Sequence, residues 1–455
     1  MAPTVRSFSA DFEPLRLVSR YPDHYPGLLE SGAIASSSAA GSRYDILPIS
    51  SGEILELRQG SGLHGRGEDR HGGFLDALQA WWDGLRLPAD TSELPFQGGW
   101  LVYLGYEIAA EIEPTLRLPP SADPFVALAI RCPAAWVRDR NAGRAWLVAE
   151  PGAEALLERF ERHAAEPPQP DGQPDGTAAG IALREDPPEM FTGAVRRALD
   201  YIAAGDVYQA NLSREWTGEA AGAPDPVAIY ARLRATNPSP FAGLLRHSGF
   251  AVISSSPERL VAVRGESVAT RPIAGTRPRG RSAAEDLALV QTLLENEKER
   301  AEHVMLIDLE RNDLGRICVG GSVHVDEYMV IETYAHVHHI VSNVSGTLRP
   351  GVSPVDVIRA LFPGGTITGC PKVRCMQVIA ELERRGRGAY TGSLGYINRD
   401  GSCDFNILIR TITTAGHAIH LRAGAGIVAD SDPGQELGET RAKAEGMLRA
   451  LRLPA

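Results

Sequence analysis

Cysteine is scarce in this chain. Five cysteines (Cys132, Cys318, Cys370, Cys375 and Cys403) are scattered over 455 residues, an odd number without any C-x-x-C pair. That excludes a disulfide framework and suits a reducing compartment. No apolar run approaches the roughly 18 residues of a membrane span, and the opening MAPTVRSFSADFEPLRL lacks the apolar stretch of a secretory signal. We therefore expect a soluble, cytoplasmic protein with no membrane partner. Positive charge is also short: 46 Lys and Arg face 57 Asp and Glu, a net charge of −11, so no chain-wide field attracts nucleic-acid phosphates. No G-x-C-x-G elbow surrounds a cysteine and no G-x-S-x-G occurs. A thiol-based glutaminase and the usual serine hydrolase are thereby removed.

What is present reads as globular: 43% hydrophobic and 23% charged residues can bury a sizeable core. One segment, Glu166 to Glu189, is rich in Pro, Gly and Asp and reads as a linker or surface loop. It divides an N-terminal region, 1–165, from a C-terminal region, 190–455. Short strand-like runs (RYDILPI, GWLVYLGY, FVALAI before the linker; YQANLSREW, GFAVISSS, NILIRTITT after it) occur in groups, and so do helical stretches. One long helical region is expected from about Ala283 to Arg311, and a closing helix over Pro433–Leu451. Grouped strands and grouped helices predict an α+β fold with large antiparallel sheets packed with helices.

Two look-alike motifs carry little. Gly424-Ala425-Gly426 matches a loose dinucleotide fingerprint, but an acidic turn follows where a helix should open. Gly364 to Lys372 resembles a phosphate loop only superficially, because its lysine is displaced and no Ser or Thr follows. The run His336-Val-His338-His339 lacks spaced partners for zinc. Two acidic pairs are more informative. Glu299 and Glu302, and again Glu436 and Glu439, are three residues apart, so each pair shares a helix face. Four converging carboxylates would need neutralising, and Mg²⁺, which prefers oxygen ligands, fits. Taken alone, such pairs more often mark a solvated helix face.

An ordered series of motifs then carries a family resemblance. It runs through Ser256-Pro257-Glu258-Arg259, Arg271 to Thr276, Asp308 to Gly315, His339 to Ser342, Phe362 to Gly369, Tyr390 to Tyr396, Ile409-Arg410-Thr411 and Gly424 to Val428. The series resembles the chorismate-utilising enzymes and covers nearly the whole chain. The resemblance implies a fold like that of anthranilate synthase component I, with Mg²⁺ held by Glu299, Glu302, Glu436 and Glu439. Chorismate, a dianion, would place one carboxylate on the metal. Arg410, Tyr390, the backbone of Gly424, Ala425 and Gly426, and Lys443 would hold the other. A guanidinium suits that role because it forks onto a carboxylate.

The nucleophile is read from single positions. Isochorismate-type members use a lysine base where this chain has Gln209, so ammonia is a better nucleophile than water here. Aminodeoxychorismate synthases commonly carry a lysine at the position of Ala274, and an alanine cannot form their covalent adduct. Against that, Phe362 to Thr368, Tyr390 to Gly395, Asp404 to Arg410 and the N-terminal region lean toward the aminodeoxychorismate synthases. The resemblance thus implies conversion of chorismate and ammonia to 4-amino-4-deoxychorismate, toward 4-aminobenzoate and folate. The ammonia would come from a separate class I glutamine amidotransferase. The alternatives are the large subunit of an anthranilate synthase and a chorismate or tryptophan sensor without catalysis. Glu258 and His339 are the candidates for moving protons, and Thr366 for bonding substrate; an ion pair of Glu258 with Arg259 or Arg277 would be the plainer role. Leu28 to Gly32 resembles an effector motif, which suggests a tryptophan pocket formed by Ser31, Pro240 and Phe241.

Overall fold

Thr4–Phe8 and His324–Thr333 alternate between less and more exposed side chains, the period-two pattern of a half-buried strand, whereas Gly99–Leu104, Phe250–Ser256 and Ser393–Asn398 are buried along their whole length. A computed structural model, which describes residues 3–32, 43–66, 72–88, 93–167, 181, 183–334 and 337–452, builds these strands into two antiparallel sheets of twelve and eleven strands. Helices pack on their outer faces, giving the expected α+β architecture. Between the sheets lies a shared core in which Ile46 and Val252 of one sheet meet Tyr103, Leu128 and Leu394 of the other. Most of the expected linker, 168–180 and 182, lies outside the described residues.

Strands from both sides of that segment enter both sheets. In the twelve-stranded sheet Gly27–Glu30 lies beside Phe241–His247, followed by Phe250–Ser256, Thr411–Ala415, Ala418–Ile427 and Gln209–Glu219. In the other, Gly99–Leu104 pairs with Ser393–Asn398, with Leu101 opposite Tyr396. Such pairings join residues about 200 and 300 positions apart.

Two helices frame the site. Asp432 caps Pro433–Leu451, its carboxylate accepting the N–H groups of Gly434 and Gln435 at 2.9 Å, a cap worth about 1 kcal/mol. The long helix expected over 283–311 is two helices, Ala283–Glu295 and Glu297–Gly315. Asn296 breaks it: its side-chain oxygen accepts the Glu299 N–H at 3.1 Å and so starts a second helix. The strand expected over NILIRTITT is also interrupted, ending at Asn406 and resuming at Thr411. Arg410 sits in the gap with φ at +54°, a left-handed conformation that arginine adopts at a cost. Among the described residues no helix is long and apolar enough to cross a membrane.

Candidate functional site

Glu258 follows the Phe250–Ser256 strand, and its backbone is pinned by Ser256 Oγ (3.2 Å) and by the Ile407 N–H, which donates to its carbonyl (3.0 Å). Its carboxyl is buried, and Oε1 has no hydrogen-bond partner. Burial pushes its pKa up to about 7, against the opposing pull of Arg410 and Lys443. No ion pair explains it: Arg259 binds Asp404 at 2.9 Å and Arg277 binds Glu299 at 2.7 Å. Thr366, in the turn Gly365–Ile367, lies near enough to Glu258 to ease its shift, yet its buried hydroxyl is in hydrogen-bonding geometry with nothing. It does not cap the following helix, Lys372–Glu383, whose cap position is Pro371.

The cationic side of the site is Arg410. Among the described residues its guanidinium has no ion-pair partner. Burial pulls its pKa below the usual arginine value, and the nearby Tyr390, Glu439 and Glu258 oppose that pull. Tyr390 is buried, its phenol pushed up to about 12. Its hydroxyl lies where a side chain on Gly424 would begin: a Cβ there would sit 2.5 Å from it and 2.6 Å from the Leu212 carbonyl. Only glycine lets this strand approach so closely. Ala425 turns its methyl into the core beneath the sheet, so only its backbone can meet a ligand. Lys443 reaches back to donate to the Gly424 carbonyl at 3.1 Å and pairs with Glu439 at 2.5 Å.

The four glutamates flank this same stretch. Glu302 accepts from Gln209 Nε2 at 2.9 Å and lies 3.4 Å from where a Cβ on Gly426 would be. Glu299 meets the backbone at Gly275, where an added Cβ would come 2.6 Å from its Oε2. Glu436 is buried and Glu439 half exposed. Among the described residues no group of three or more acidic, His or Cys side chains is arranged to hold a metal ion. The donors nevertheless fit a hard divalent cation in kind: all are carboxylate oxygens, and Glu299 Oε2 is buried without a hydrogen-bond partner. Two of the four are instead neutralised by Arg277 and Lys443.

His339 is buried, and its Nδ1 is 2.9 Å from the Thr276 hydroxyl. Burial and Arg410 hold its pKa down at about 4, so the imidazole is neutral at neutral pH. Ala274 is buried on the strand Ile273–Pro278, paired with Ile340. Next to it, Gly275 forms a bulge with φ at +72°. Of the histidine run, His338 bonds Asp286 at 2.9 Å, and His336 lies outside the described residues.

Gln209 is buried, and its Oε1 has no hydrogen-bond partner. With Nε2 held by Glu302, the amide presents a bare acceptor beside the acidic residues. That link, the Arg277–Glu299 pair and the buried carboxyls of Glu107 and Asp123 were not evident in the sequence. Glu107 accepts the N–H groups of Arg387 and Gly388, and Asp123 that of Ala389, fixing the turn that carries Tyr390. Ser31, Pro240 and Phe241 line one cavity of about 550 Å³, walled also by Tyr44, Tyr396 and Arg264. Its size is that of small-ligand sites. The Arg259–Asp404 pair also lines it, immediately beyond Glu258.

A family model described as chorismate binding enzyme matches residues 53–449. An anthranilate synthase component I-like protein of Synechocystis is 45% identical over 383 residues, covering 83% of this chain and 78% of that protein. Aminodeoxychorismate synthase component 1 of Bacillus subtilis is 41% identical over 429 residues, 91% of each chain. The crystal structure of anthranilate synthase component I from Streptococcus pneumoniae superposes with a TM-score of 0.79 at 32% identity, covering 92% of this chain and 94% of that one.

Proposed function

The chain belongs to the family of chorismate binding enzymes, and from that premise we propose that it is an aminodeoxychorismate synthase component I. In this reading chorismate and ammonia become 4-amino-4-deoxychorismate and water. Support comes from the full-length likeness to the Bacillus subtilis aminodeoxychorismate synthase. The observation that carries the reading is the loop from Phe362 to Thr368, whose sequence resembles that of those synthases and which brings Thr366 beside a buried, protonatable Glu258.

Arg410 would fork onto the side-chain carboxylate of chorismate, with the Tyr390 hydroxyl and the backbone of Gly424 to Gly426 completing the grip. A half-buried guanidinium without an ion-pair partner among the described residues gains most from such an anion. Glu258, carrying a proton near pH 7, would give it to the hydroxyl leaving C4 as the C–O bond breaks. Ammonia forms the new C–N bond and returns one proton to Glu258, so the balance closes on water. Gln209 Oε1 would accept an N–H of the incoming ammonia and orient its lone pair. His339, neutral near pH 7 with its Nδ1 on Thr276, holds no acidic proton to donate there and would serve as a fixed polar wall. Ala274 supplies no nucleophile, so no covalent adduct forms at that position. Glu299, Glu302, Glu436 and Glu439 would hold Mg²⁺, which when bound neutralises and orients the ring carboxylate.

In this scheme a separate glutamine amidotransferase of class I supplies ammonia in the cytoplasm, and the cavity at Ser31, Pro240 and Phe241 takes a tryptophan. The second reading, anthranilate synthase component I, is favoured by Ala274, which matches those enzymes. Product identification separates the two. Purified chain with chorismate, Mg²⁺ and an ammonium salt should yield a product that releases 4-aminobenzoate only after a lyase is added. Fluorescent anthranilate with pyruvate, and no lyase, overturns the proposal. Chorismate binding without turnover would instead point to a sensor. The Ala274→Lys variant, run alongside, asks whether a nucleophile at that position speeds the reaction.

A further inference from the structure

Arg387 lies in the turn between the helix Lys372–Glu383 and Tyr390, within the run Arg384-Arg385-Gly386-Arg387. Such a basic run reads as a solvated turn, yet the Arg387 side chain is only 1% exposed. Burying a guanidinium is costly unless its donors are satisfied. Here they are satisfied by three separate pieces of the site. Nη2 donates to the Asn211 carbonyl at 2.7 Å, on the strand that carries Gln209. Nη1 donates to the Ile367 carbonyl at 3.2 Å, one residue beyond Thr366, and to Thr391 Oγ1 at 3.3 Å, one residue beyond Tyr390. Nε and Nη2 fork onto Glu383 at 3.1 and 2.6 Å. The planar head lies over two rings, 5.0 Å from the centroid of Tyr106 and 5.5 Å from that of Tyr390.

We propose that Arg387 is a positioning residue for the chorismate site, setting the spacing between the Thr366 turn, the Gln209 strand and Tyr390. It touches no substrate. Glu383 does not need it for charge balance, because Arg422 also binds that carboxylate at 2.8 Å. A plain structural ion pair would therefore tolerate a lysine at 387. The positioning role would not, since an ammonium cannot reach Asn211, Ile367 and Glu383 at once in the plane of a fork. The inference rests on the chorismate reading only for its kinetic part.

The test compares wild type with Arg387→Lys and Arg387→Ala in the full chain. Chorismate consumption, whatever its product, should fall about 100-fold in kcat in Arg387→Lys, as displaced reacting groups predict, with a much smaller change in KM. Added guanidinium should restore part of the rate of Arg387→Ala. Hydrogen exchange of Arg387→Lys should quicken in peptides spanning 362–370 and 207–213 while the melting temperature and the Tyr44–Ile49 strand stay as in wild type. If Arg387→Lys keeps both its kcat and the protection of those two segments, the proposal is overturned. A wild type that consumes no chorismate would defeat the functional reading, and exchange alone would then decide the role of Arg387. Should Arg387→Ala fail to fold, the lysine variant decides.

Discussion

Replacing Glu258 with glutamine should stabilise the protein at alkaline pH and destroy its activity. The ordinary glutamate value is 4.5, and burial raises that of Glu258 to about 7 in the folded chain. The folded state therefore holds a proton that the unfolded chain has already lost, and stability falls as pH rises from 4.5 through 7. Integrating between pH 5 and pH 8, this one group costs about 2.5 kcal/mol of stability over that interval. The groups facing it are Arg410, Lys443 and Thr366, together with Glu310, itself pushed up to about 8 by burial. Glu310 begins to ionise at the upper end and adds to the effect in the same direction. Glu258→Gln carries no such proton, so its stability relative to wild type should improve by roughly that 2.5 kcal/mol on going from pH 5 to pH 8. Urea unfolding of both proteins at the two pH values gives the double difference, in which the titrations of groups remote from Glu258 cancel and only its coupling to neighbours such as Glu310 remains. The rate of chorismate consumption should fall by about 10²–10⁴ at the same time. A stability difference between the two proteins that does not change with pH refutes the buried, protonated Glu258. A Glu258→Gln enzyme that keeps its rate refutes its role as acid.

Arg410→Lys keeps the charge and loses the fork, so KM for chorismate should rise about 100-fold, equivalent to about 2–3 kcal/mol, while the melting temperature stays level. Steady-state kinetics and a thermal melt check both halves. Gly424→Ala puts a methyl 2.5 Å from the Tyr390 hydroxyl; chorismate binding measured by calorimetry should weaken, whereas Gly438→Ala, an open helical position with nothing within 4 Å, should bind as wild type. Chelation with EDTA should abolish turnover and Mg²⁺ restore it, and Glu302→Gln should weaken Mg²⁺ binding measured by calorimetry without substrate. Turnover that survives exhaustive chelation would remove the metal from the scheme.

Elements whose signals are local were legible in the sequence. The closing helix Pro433–Leu451 begins where Asp432 and Pro433 announce it, and the strand Gly99–Leu104 matches its apolar run. Asn296 was missed because one capping residue inside an apolar-periodic stretch resembles any polar helix position. The break before Thr411 was missed because nothing in Ile-Leu-Ile-Arg marks Arg410 as left-handed. Residues in short motifs, namely Glu258, Thr366, Tyr390, Arg410 and Gly424, were named and come to one place. Their neighbours were not, for a physical reason: a salt bridge between Arg277 and Glu299, or the grip of Arg387 on Asn211, joins positions that no spacing relates. The same holds for Leu29 opposite Gly243, which seats the N-terminal strands in the sheet that carries the site.

Burial pushes Glu258, Tyr390 and His339 in the direction of neutrality, and that makes Arg410 unusual. It raises Glu258 to about 7 and Tyr390 to about 12 and lowers His339 to about 4. At neutral pH the phenol and the imidazole therefore carry no charge, and Glu258 stands at the midpoint of its titration. Arg410 cannot follow, because a guanidinium keeps its proton even when burial lowers its pKa. Among the described residues Arg410 is thus a fixed cation without an ion-pair partner, opposite a bank of carboxylates, two of which already have Arg277 and Lys443 as counter-ions. A ligand that brings a carboxylate to Arg410 relieves the cost of that half-buried charge, and the same contact lies close to Glu258, an acid that can exchange a proton near pH 7. Binding and proton transfer are coupled through one side chain, since whatever neutralises Arg410 also weakens its pull on Glu258 and leaves the carboxyl more firmly protonated. The acid is therefore best charged for its task when the substrate is in place.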